Sequence, residues 1–269
     1  MLPFETKELL LKVDGVCKAY DVPVLNNVQM DIHNLTREGM TQGQIVSLVG
    51  KSGSGKSTLF RIMAGLEKAD SGSVEVLMND RDDFGDYMAP VKEGQVGVVF
   101  QNSYVYPWRR VIDILRMAAK RNLLVKNNSE AIAHYAELMS LEDHLGKYSS
   151  QLSGGQRQRV AIAEQLLLGS EFILLDEPFS GLDTLTIDKV TDTLTKIAQT
   201  DERKTLVIVS HDLSNCLAIS DTAFILHPQE GGATITHKVC LASQGLAWQP
   251  GIKENPLFRD LLNQVKSLL

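Results

Sequence analysis

The stretch "GKSGSGKST" (50–58) directly follows the apolar run "QIVSLV". It fits the phosphate-binding pattern G-x-x-x-x-G-K-[ST] through Gly50, Gly55, Lys56 and Ser57. Glycine has no Cβ, so successive backbone N–H groups can point into one hollow, and a following helix adds the positive end of its dipole. A strand before the motif and a helix after it are the context that phosphate binding requires. A glycine-rich turn without a ligand is the alternative interpretation.

The motif predicts a role for its side chains. Lys56 would reach the β- and γ-phosphates of a nucleotide, and Ser57 would offer its hydroxyl to Mg²⁺. The loop residues predicted to contact the nucleotide are Gly50, Ser52, Gly53, Ser54, Gly55, Lys56, Ser57 and Thr58.

A second apolar run, "FILLDEP" (172–178), ends in two adjacent carboxylates, Asp176 and Glu177. The carboxyl ends of strands are the edge at which α/β sheets bind ligands. Burying unpaired charge is costly, so folding alone explains this pair poorly. We expect Asp176 to hold Mg²⁺ and Glu177 to orient or deprotonate an attacking water. A solvent-exposed strand end is the alternative.

Short apolar runs alternate with helical patterns along most of the chain, which favours an α/β fold with a mainly parallel sheet covered on both faces. The predicted strands are 44–50, 73–78, 95–101, 171–177, 205–211 and 222–227, and the predicted helices are 56–66, 154–168 and 185–199. The N-terminal runs 8–20 and 26–35 alternate more and predict an antiparallel portion.

One segment, 102–152, contains no convincing strand and is predicted to be a helical insertion. We therefore expect a single domain over 1–269, with an α/β core formed by 1–101 and 153–269. The C-terminal residues 254–269 are predicted to form an amphipathic helix that packs on the rest of the protein. Packing on a partner is the alternative. The apolar side of this helix is predicted to carry Leu257, Leu261, Leu262, Val265 and Leu268.

Composition narrows the function classes. The formal charge of −6, without a basic stripe, argues against a nucleic-acid partner. Three scattered cysteines without metal-ligand spacing indicate reduced thiols. The N-terminus has no signal-peptide pattern, and no apolar run reaches the roughly 20 residues that span a bilayer. We expect any membrane role to be exercised through a partner.

The most specific motif is "LSGGQRQRV" (152–160), in which Ser153 is a good helix N-cap and two glycines permit close backbone approach. This pattern predicts a second anion site, although a plain capped helix would satisfy the same physics. Here the chain resembles the nucleotide-binding subunit of ABC transporters, whose signature motif is LSGGQ. The resemblance implies a P-loop ATPase core with an inserted helical subdomain.

The same resemblance implies further site residues. Tyr20 would stack on adenine, Gln101 would contact Mg²⁺ and the attacking water, and His211 would lie near the γ-phosphate. Asp183 would act at a dimer interface. Local alternatives are a strand or turn tyrosine, an uninformative strand-end glutamine, a structural histidine and a helix N-cap. The implied catalytic set is Lys56, Gln101, Glu177 and His211, and the implied metal set is Ser57, Gln101 and Asp176.

ABC ATPases of this kind pair head to tail, as a homodimer or with a related subunit. ATP then lies between the Lys56 loop of one copy and Ser153, Gly154, Gly155 and Gln156 of the other. The segment after Gln101 carries Tyr104, Tyr106 and Trp108, which favour a surface for a transmembrane permease over core positions.

The resemblance further implies an ATPase at the inner, cytoplasmic face of the cell membrane that powers solute import. The "PW" pattern at 107–108 resembles nitrate, sulfonate and taurine importers, which also use a solute-binding protein. A soluble or membrane-associated ABC ATPase, for complex assembly, lipoprotein release or cell division, is the alternative.

Overall fold

A computed structural model describes residues 4–37, 42–80, 85–122, 125–249 and 251–269. The strands are β1 (Phe4–Ala19), β2 (Pro23–Arg37), β3 (Gln44–Val49), β4 (Ser71–Asp80), β5 (Gly85–Pro90), β6 (Gly97–Val99), β7 (Phe172–Asp176), β8 (Thr205–Ser210), β9 (Thr222–Gln229) and β10 (Gly232–Cys240). The helices are α1 (Lys56–Met63), α2 (Val111–Arg121), α3 (Asn128–Leu138), α4 (Gly154–Leu167), α5 (Thr184–Ala198), α6 (Leu213–Ile219) and α7 (Pro256–Ser267). Short 3₁₀ turns lie at Glu142–His144, Ser149–Gln151 and Ile252–Glu254.

These strands form one sheet in the order β5-β4-β1-β2-β10-β9-β3-β8-β7-β6. From β9 to β6 every pairing is parallel, which confirms the predicted parallel core. Every residue of β3 and β8 is buried, as expected for strands with helices on both faces. The sequence predicted these strands within a few residues, although β6 is shorter than the run 95–101.

Successive residues of the parallel strands feed two separate cores, because strand side chains alternate between faces. Ile45 and Ile208 pack in the core with α2 to α7, whereas Val46 and Val207 pack in the core with α1 and the antiparallel strands. The helices α2 to α7 on one face, and α1 with the antiparallel strands on the other, therefore pack on one sheet whose parallel strands end along a common edge.

The other half of the sheet is antiparallel except for the parallel contact between β2 and β10, and the prediction for the N-terminal runs is confirmed. β1 pairs with β2 and β4, and β4 pairs with β5. The sequence did not predict β5 or β10, since their alternation is weak. A Cβ on Gly72 would lie 2.4 Å from the Gly15 carbonyl oxygen, so the β1–β4 crossing requires glycine there.

Between 102 and 152 the described residues contain helices α2 and α3 and two 3₁₀ turns, with one isolated bridge between Arg110 and Tyr148. The helical prediction for this segment is confirmed. None of the helices in the described ranges combines the length and the apolar character that a bilayer span requires.

The C-terminal helix α7 packs on the protein as predicted, but its apolar side is shifted. Phe258, Leu261 and Val265 are buried, whereas Leu257 is 65% exposed. The predicted position for Leu257 was wrong, because Phe258, one residue later, occupies the core position beside Leu261 and Val265.

A buried polar cluster joins the C-terminal region to the base of the sheet. The fully buried Asp221 accepts hydrogen bonds from Arg37, from the backbone N–H of Ile45 at 2.8 Å and from Nε1–H of Trp248 at 2.8 Å. The Arg37 guanidinium lies over the Trp248 ring. This cluster connects β2, β3 and β9 to the segment that leads into α7.

Candidate nucleotide-binding site

The glycines of the loop between β3 and α1 are required by its backbone geometry. Gly53 and Gly55 have φ values of 79° and 84°, in the left-handed region that favours glycine. A Cβ on Gly50 would lie 2.5 Å from the Leu226 carbonyl oxygen. Gly55 caps α1, and Lys51, Ser52 and Gly53 are exposed. The loop is therefore an open cradle at a helix N-terminus, the geometry that binds phosphate.

Lys56 bends back over this loop. Its Nζ donates hydrogen bonds to the carbonyl oxygens of Gly50 at 2.9 Å and Lys51 at 2.8 Å. Burial lowers the pKa of Lys56, while Glu177 and Asp176 act in the opposite direction. Ser54 Oγ is buried without a partner, so the loop holds a buried cation and a free hydroxyl. Both are groups that a phosphate would satisfy.

Asp176 ends β7 beside this loop. Its Oδ1 is buried and has no hydrogen-bond partner. Burial raises the pKa of Asp176, Glu177 adds to this effect, and Arg61 and Lys56 oppose it. A buried, unpaired carboxylate oxygen is costly unless a cation completes it. The donor set of Asp176, with the exposed Ser57 at the start of α1, therefore fits Mg²⁺.

Glu177 is held rigidly by the end of β8. Its φ is 47°, and its backbone N–H donates to the Val209 carbonyl oxygen at 2.8 Å. Its Oε2 accepts from Ser210 Oγ at 2.6 Å, and its Oε1 accepts from the His211 backbone N–H at 3.1 Å. Side-chain Nδ1 of His211 lies 2.8 Å from the same Oε1. A residue with φ > 0 persists only where neighbours hold it, often at functional sites.

Gln101 follows β6 and is exposed, and its Nε2 donates to Ser180 Oγ at 3.1 Å. Ser180 itself lies in the turn after β7. Four predicted elements therefore meet at one edge: the phosphate loop, the carboxylate pair, Gln101 and His211.

Ser210 and Ser180, which hold Glu177 and Gln101, were not predicted from the sequence. Ser210 directly precedes His211, and Ser180 directly precedes "GLD". The only available signal was that each lies beside a motif residue.

The LSGGQ motif (152–156), here called the signature segment, contains a capping box. The N-cap role predicted for Ser153 is confirmed. Ser153 Oγ accepts from the Gln156 backbone N–H at 3.3 Å, and Gln156 Oε1 accepts from the Ser153 backbone N–H at 2.9 Å. Ser153 and Gly154 are exposed. Among the described residues, no hydrogen bond connects this segment to the phosphate loop.

Asp183 caps α5 and accepts from Thr186 N–H at 3.0 Å. The alternative role of Asp183, that of a helix N-cap, is therefore present within the single chain. α5 starts beside the signature segment, because a Cβ on Gly155 would lie 3.5 Å from the Thr186 methyl group. Asp183 and the signature segment thus share one surface.

Tyr20 lies in the exposed turn between β1 and β2. Its hydroxyl donates to Glu67, and Lys18 Nζ lies 5.5 Å from its ring centroid. The hairpin reaches the phosphate loop, since a Cβ on Gly55 would lie 3.0 Å from Val24 and Leu25. The exposed ring thus lies on the same hairpin as Val24 and Leu25, and an exposed aromatic ring can stack on a base.

A glycine-rich loop between a buried strand and a helix, with carboxylates at the neighbouring strand end, defines a P-loop nucleotide-binding protein. The model of the family described as "ABC transporter" matches residues 34–180. The chain therefore belongs to the ABC transporter family.

Similar proteins support this assignment. The aliphatic sulfonates import ATP-binding protein SsuB 1 of Paracoccus denitrificans is 33% identical over 241 residues, covering 90% of this chain and 85% of that protein. The glutamine transport ATP-binding protein GlnQ of Geobacillus stearothermophilus is 35% identical over 205 residues, covering 75% and 79%. The chain is accordingly an ATP-binding cassette, an ATPase coupled to transport.

Solved structures have the same fold. CbiO1 from Clostridium perfringens, part of the ABC transporter complex CbiONQ, superposes with a TM-score of 0.71 at 22% identity, covering 97% of this chain and 98% of that one. A dimeric post-hydrolysis state of the cassette MJ0796 bound to ADP and Pi has a TM-score of 0.66 at 25% identity, covering 86% and 99%.

Proposed function

We propose that two copies of this chain, or this chain and a related subunit, clamp ATP between them. The Lys56 loop of one copy would hold the triphosphate, and Ser153, Gly154, Gly155 and Gln156 of the other would cover it. The observation that carries this proposal is that both anion-binding segments are exposed, while no hydrogen bond joins them within the described part of one chain. The dimeric state of MJ0796 with ADP and Pi supports it.

Within that clamp, each predicted residue receives a role. The phosphates would contact Gly50, Ser52, Gly53, Ser54, Gly55, Lys56, Ser57 and Thr58, and adenine would stack on Tyr20. Asp183 would contact the partner across the interface, close to the signature segment. Ser57, Gln101 and Asp176 would hold Mg²⁺, which would supply electrostatic stabilisation of the phosphate charge.

Hydrolysis needs a placed water and a compensated γ-phosphoryl charge. Glu177, fixed by Ser210 and the β8 backbone, would orient or deprotonate the water. His211 would leave its contact with Glu177 to reach the γ-phosphate. Glu177 and His211 lie at the ends of neighbouring parallel strands. A small movement of the nucleotide there would change its contacts with the phosphate loop, the carboxylate pair, Gln101 and His211 together.

The segment 102–152 would form the helical subdomain that contacts a transmembrane permease, with 1–101 and 153–269 as the ATPase core. Tyr104 and Trp108 are 79% and 70% exposed. Tyr106 packs edge to face on Trp108, with ring centroids 5.9 Å apart, and Arg109 and Arg110 are exposed beside them. Exposed aromatic side chains next to arginine are typical of protein interfaces.

The transported solute would be imported, because the relatives include import ATP-binding proteins for sulfonates, sulfate and maltose. An organic anion of the sulfonate type is the substrate class we propose. The permease would place this subunit on the cytoplasmic face of the membrane, and a solute-binding protein would deliver the substrate from the other side.

The test of this site between two copies uses Glu177→Gln, which keeps the size of the side chain and its ability to form hydrogen bonds but removes the negative charge. ATP should then bind without being hydrolysed, so that the variant accumulates as a dimer in sedimentation experiments with Mg·ATP but not with ADP. Lys56→Ala in the same background is the control and should remain monomeric. A Glu177→Gln protein that stays monomeric at saturating ATP would contradict the proposed site.

A further inference from the structure

A side-chain contact between His144 and Gln156 ties the signature segment to the helical segment 102–152 that precedes it. His144 ends the 3₁₀ turn Glu142–His144, and its Nε2 lies 2.6 Å from Nε2 of Gln156. Gln156 is the third residue of α4, and its Oε1 already accepts from the Ser153 backbone N–H. The same glutamine therefore serves the capping box and the histidine at once.

The pattern of donors and acceptors assigns the histidine tautomer. With the amide oxygen of Gln156 committed to Ser153, its amide nitrogen has only protons to offer. Nε2 of His144 would then be the unprotonated ring nitrogen and accept the hydrogen bond. The ring proton would lie on Nδ1, a buried atom that has no hydrogen-bond partner within the described residues. If the amide were rotated, its NH₂ group would face the N–H of Ser153 and the capping box would be lost.

Arg159 makes a second, separate link between the same two elements. Its Nη1 donates to the carbonyl oxygens of Met139 at 2.6 Å and Ser140 at 3.2 Å. This contact fastens α4 to the end of α3 one turn beyond the capping box. Its partners are these two carbonyl oxygens and not Ser153 or Gln156, so this contact acts on α4 beyond its first turn.

We propose that His144 is a positioning residue for ATP-dependent pairing. By accepting from Gln156, it holds the amide oxygen on Ser153 and keeps the first turn of α4 ready to face the nucleotide of the partner copy. This inference rests on the proposed function, in which the segment Ser153–Gly155 covers that nucleotide. His144 belongs to the helical segment 102–152. A movement of this segment would therefore change the position of the first turn of α4 directly.

Two substitutions separate a hydrogen-bonding role from a packing role. His144→Phe keeps the ring but removes the acceptor, whereas His144→Gln removes the ring but offers an oxygen near the position of Nε2. In the Glu177→Gln background, His144→Phe should weaken ATP-dependent dimerisation about 10- to 100-fold, the value of one hydrogen bond at each of the two sites of a homodimer. His144→Gln should retain dimerisation. ATP affinity of the dilute monomer should be the same in all three proteins.

The readouts are sedimentation with Mg·ATP, equilibrium binding of a fluorescent ATP analogue, and thermal unfolding to confirm that each variant is folded. Pairing that His144→Phe leaves unchanged, or that His144→Gln weakens as much as His144→Phe does, overturns the role of His144 alone. A Glu177→Gln parent that does not pair overturns this inference together with the proposed site. Histidine ¹⁵N NMR adds a direct check, since a protonated Nε2 at neutral pH contradicts the assigned tautomer.

Discussion

Glu177 and His211 contact each other at the ends of adjacent strands: Oε1 of Glu177 lies 2.8 Å from Nδ1 of His211 and also accepts from its backbone N–H. Ser210 occupies the other carboxylate oxygen. The contact with the ring is the one that can be released without unfolding β8, because the histidine side chain is 58% exposed. The pair therefore joins a fixed carboxylate to a movable ring.

The first prediction concerns that ring. His211→Ala should lower the rate of ATP hydrolysis about 10²- to 10³-fold, the usual loss when one group that stabilises transition-state charge is removed. The ring is exposed, so the fold and ATP-dependent dimerisation should be retained. Steady-state phosphate release and sedimentation check both parts, and a variant with normal turnover would remove His211 from the site.

A second prediction uses two lysines of one loop. Lys56 is buried and donates to two loop carbonyls, whereas Lys51 is exposed. Lys56→Ala should lower ATP turnover by about 10²-fold or more, because the phosphates lose their buried cation. Lys51→Ala, the matched control, should stay within a few-fold of wild type. Equal losses in the two variants would contradict the role assigned to Lys56.

The third prediction follows from the unpaired oxygen of Asp176. Because burial raises its pKa above the unfolded value, the ionised carboxylate destabilises the nucleotide-free fold once the pH exceeds both pKa values. Asp176→Asn should therefore stabilise the protein by about 1 kcal/mol at neutral pH while abolishing Mg²⁺-dependent hydrolysis. The stability gain should disappear below about pH 4, where the wild-type carboxyl is protonated in both states.

Denaturant titrations at pH 7 and pH 3.5, each with EDTA, test this sign. Glu177→Gln is the matched control, since its oxygens already have partners and it should not gain stability. An Asp176→Asn protein that is less stable than wild type at pH 7 would contradict the prediction.

The phosphate loop, the parallel strands and the capped signature helix can be predicted from the sequence because each signal is local. The loop has its glycines at fixed spacing, and Ser153 caps a helix that begins at the next residue. Long-range features have no such signal. The Arg37–Asp221 pair joins residues 184 positions apart, and β10 is fixed mainly by its antiparallel partner β9.

The fourth prediction compares the two tryptophans of the chain. Trp248 donates its Nε1–H to the fully buried Asp221, so Trp248→Phe leaves a buried carboxylate with one donor fewer. The expected loss is about 1–3 kcal/mol in the free energy of unfolding. Trp108→Phe at the exposed aromatic segment should change it by less than about 0.5 kcal/mol. Urea titration measures both, and equal effects would contradict the importance of the Asp221 cluster.

The last prediction concerns the exposed aromatic side chains after Gln101. Trp108→Ala should reduce substrate uptake by the assembled transporter about tenfold or more, because truncation of an aromatic anchor at an interface centre costs about 2 kcal/mol or more. ATP hydrolysis by the isolated subunit should remain normal, since Trp108 lies outside the phosphate loop and the β7 and β8 ends.

Tyr87→Ala is the matched control: Tyr87 is 52% exposed but lies on β5, in the antiparallel part of the sheet. Uptake in proteoliposomes and co-purification with the permease measure the two effects. If transporters with Trp108→Ala and with Tyr87→Ala take up substrate at equal rates, Trp108 is not an anchor of the docking surface and the proposal for this residue is contradicted.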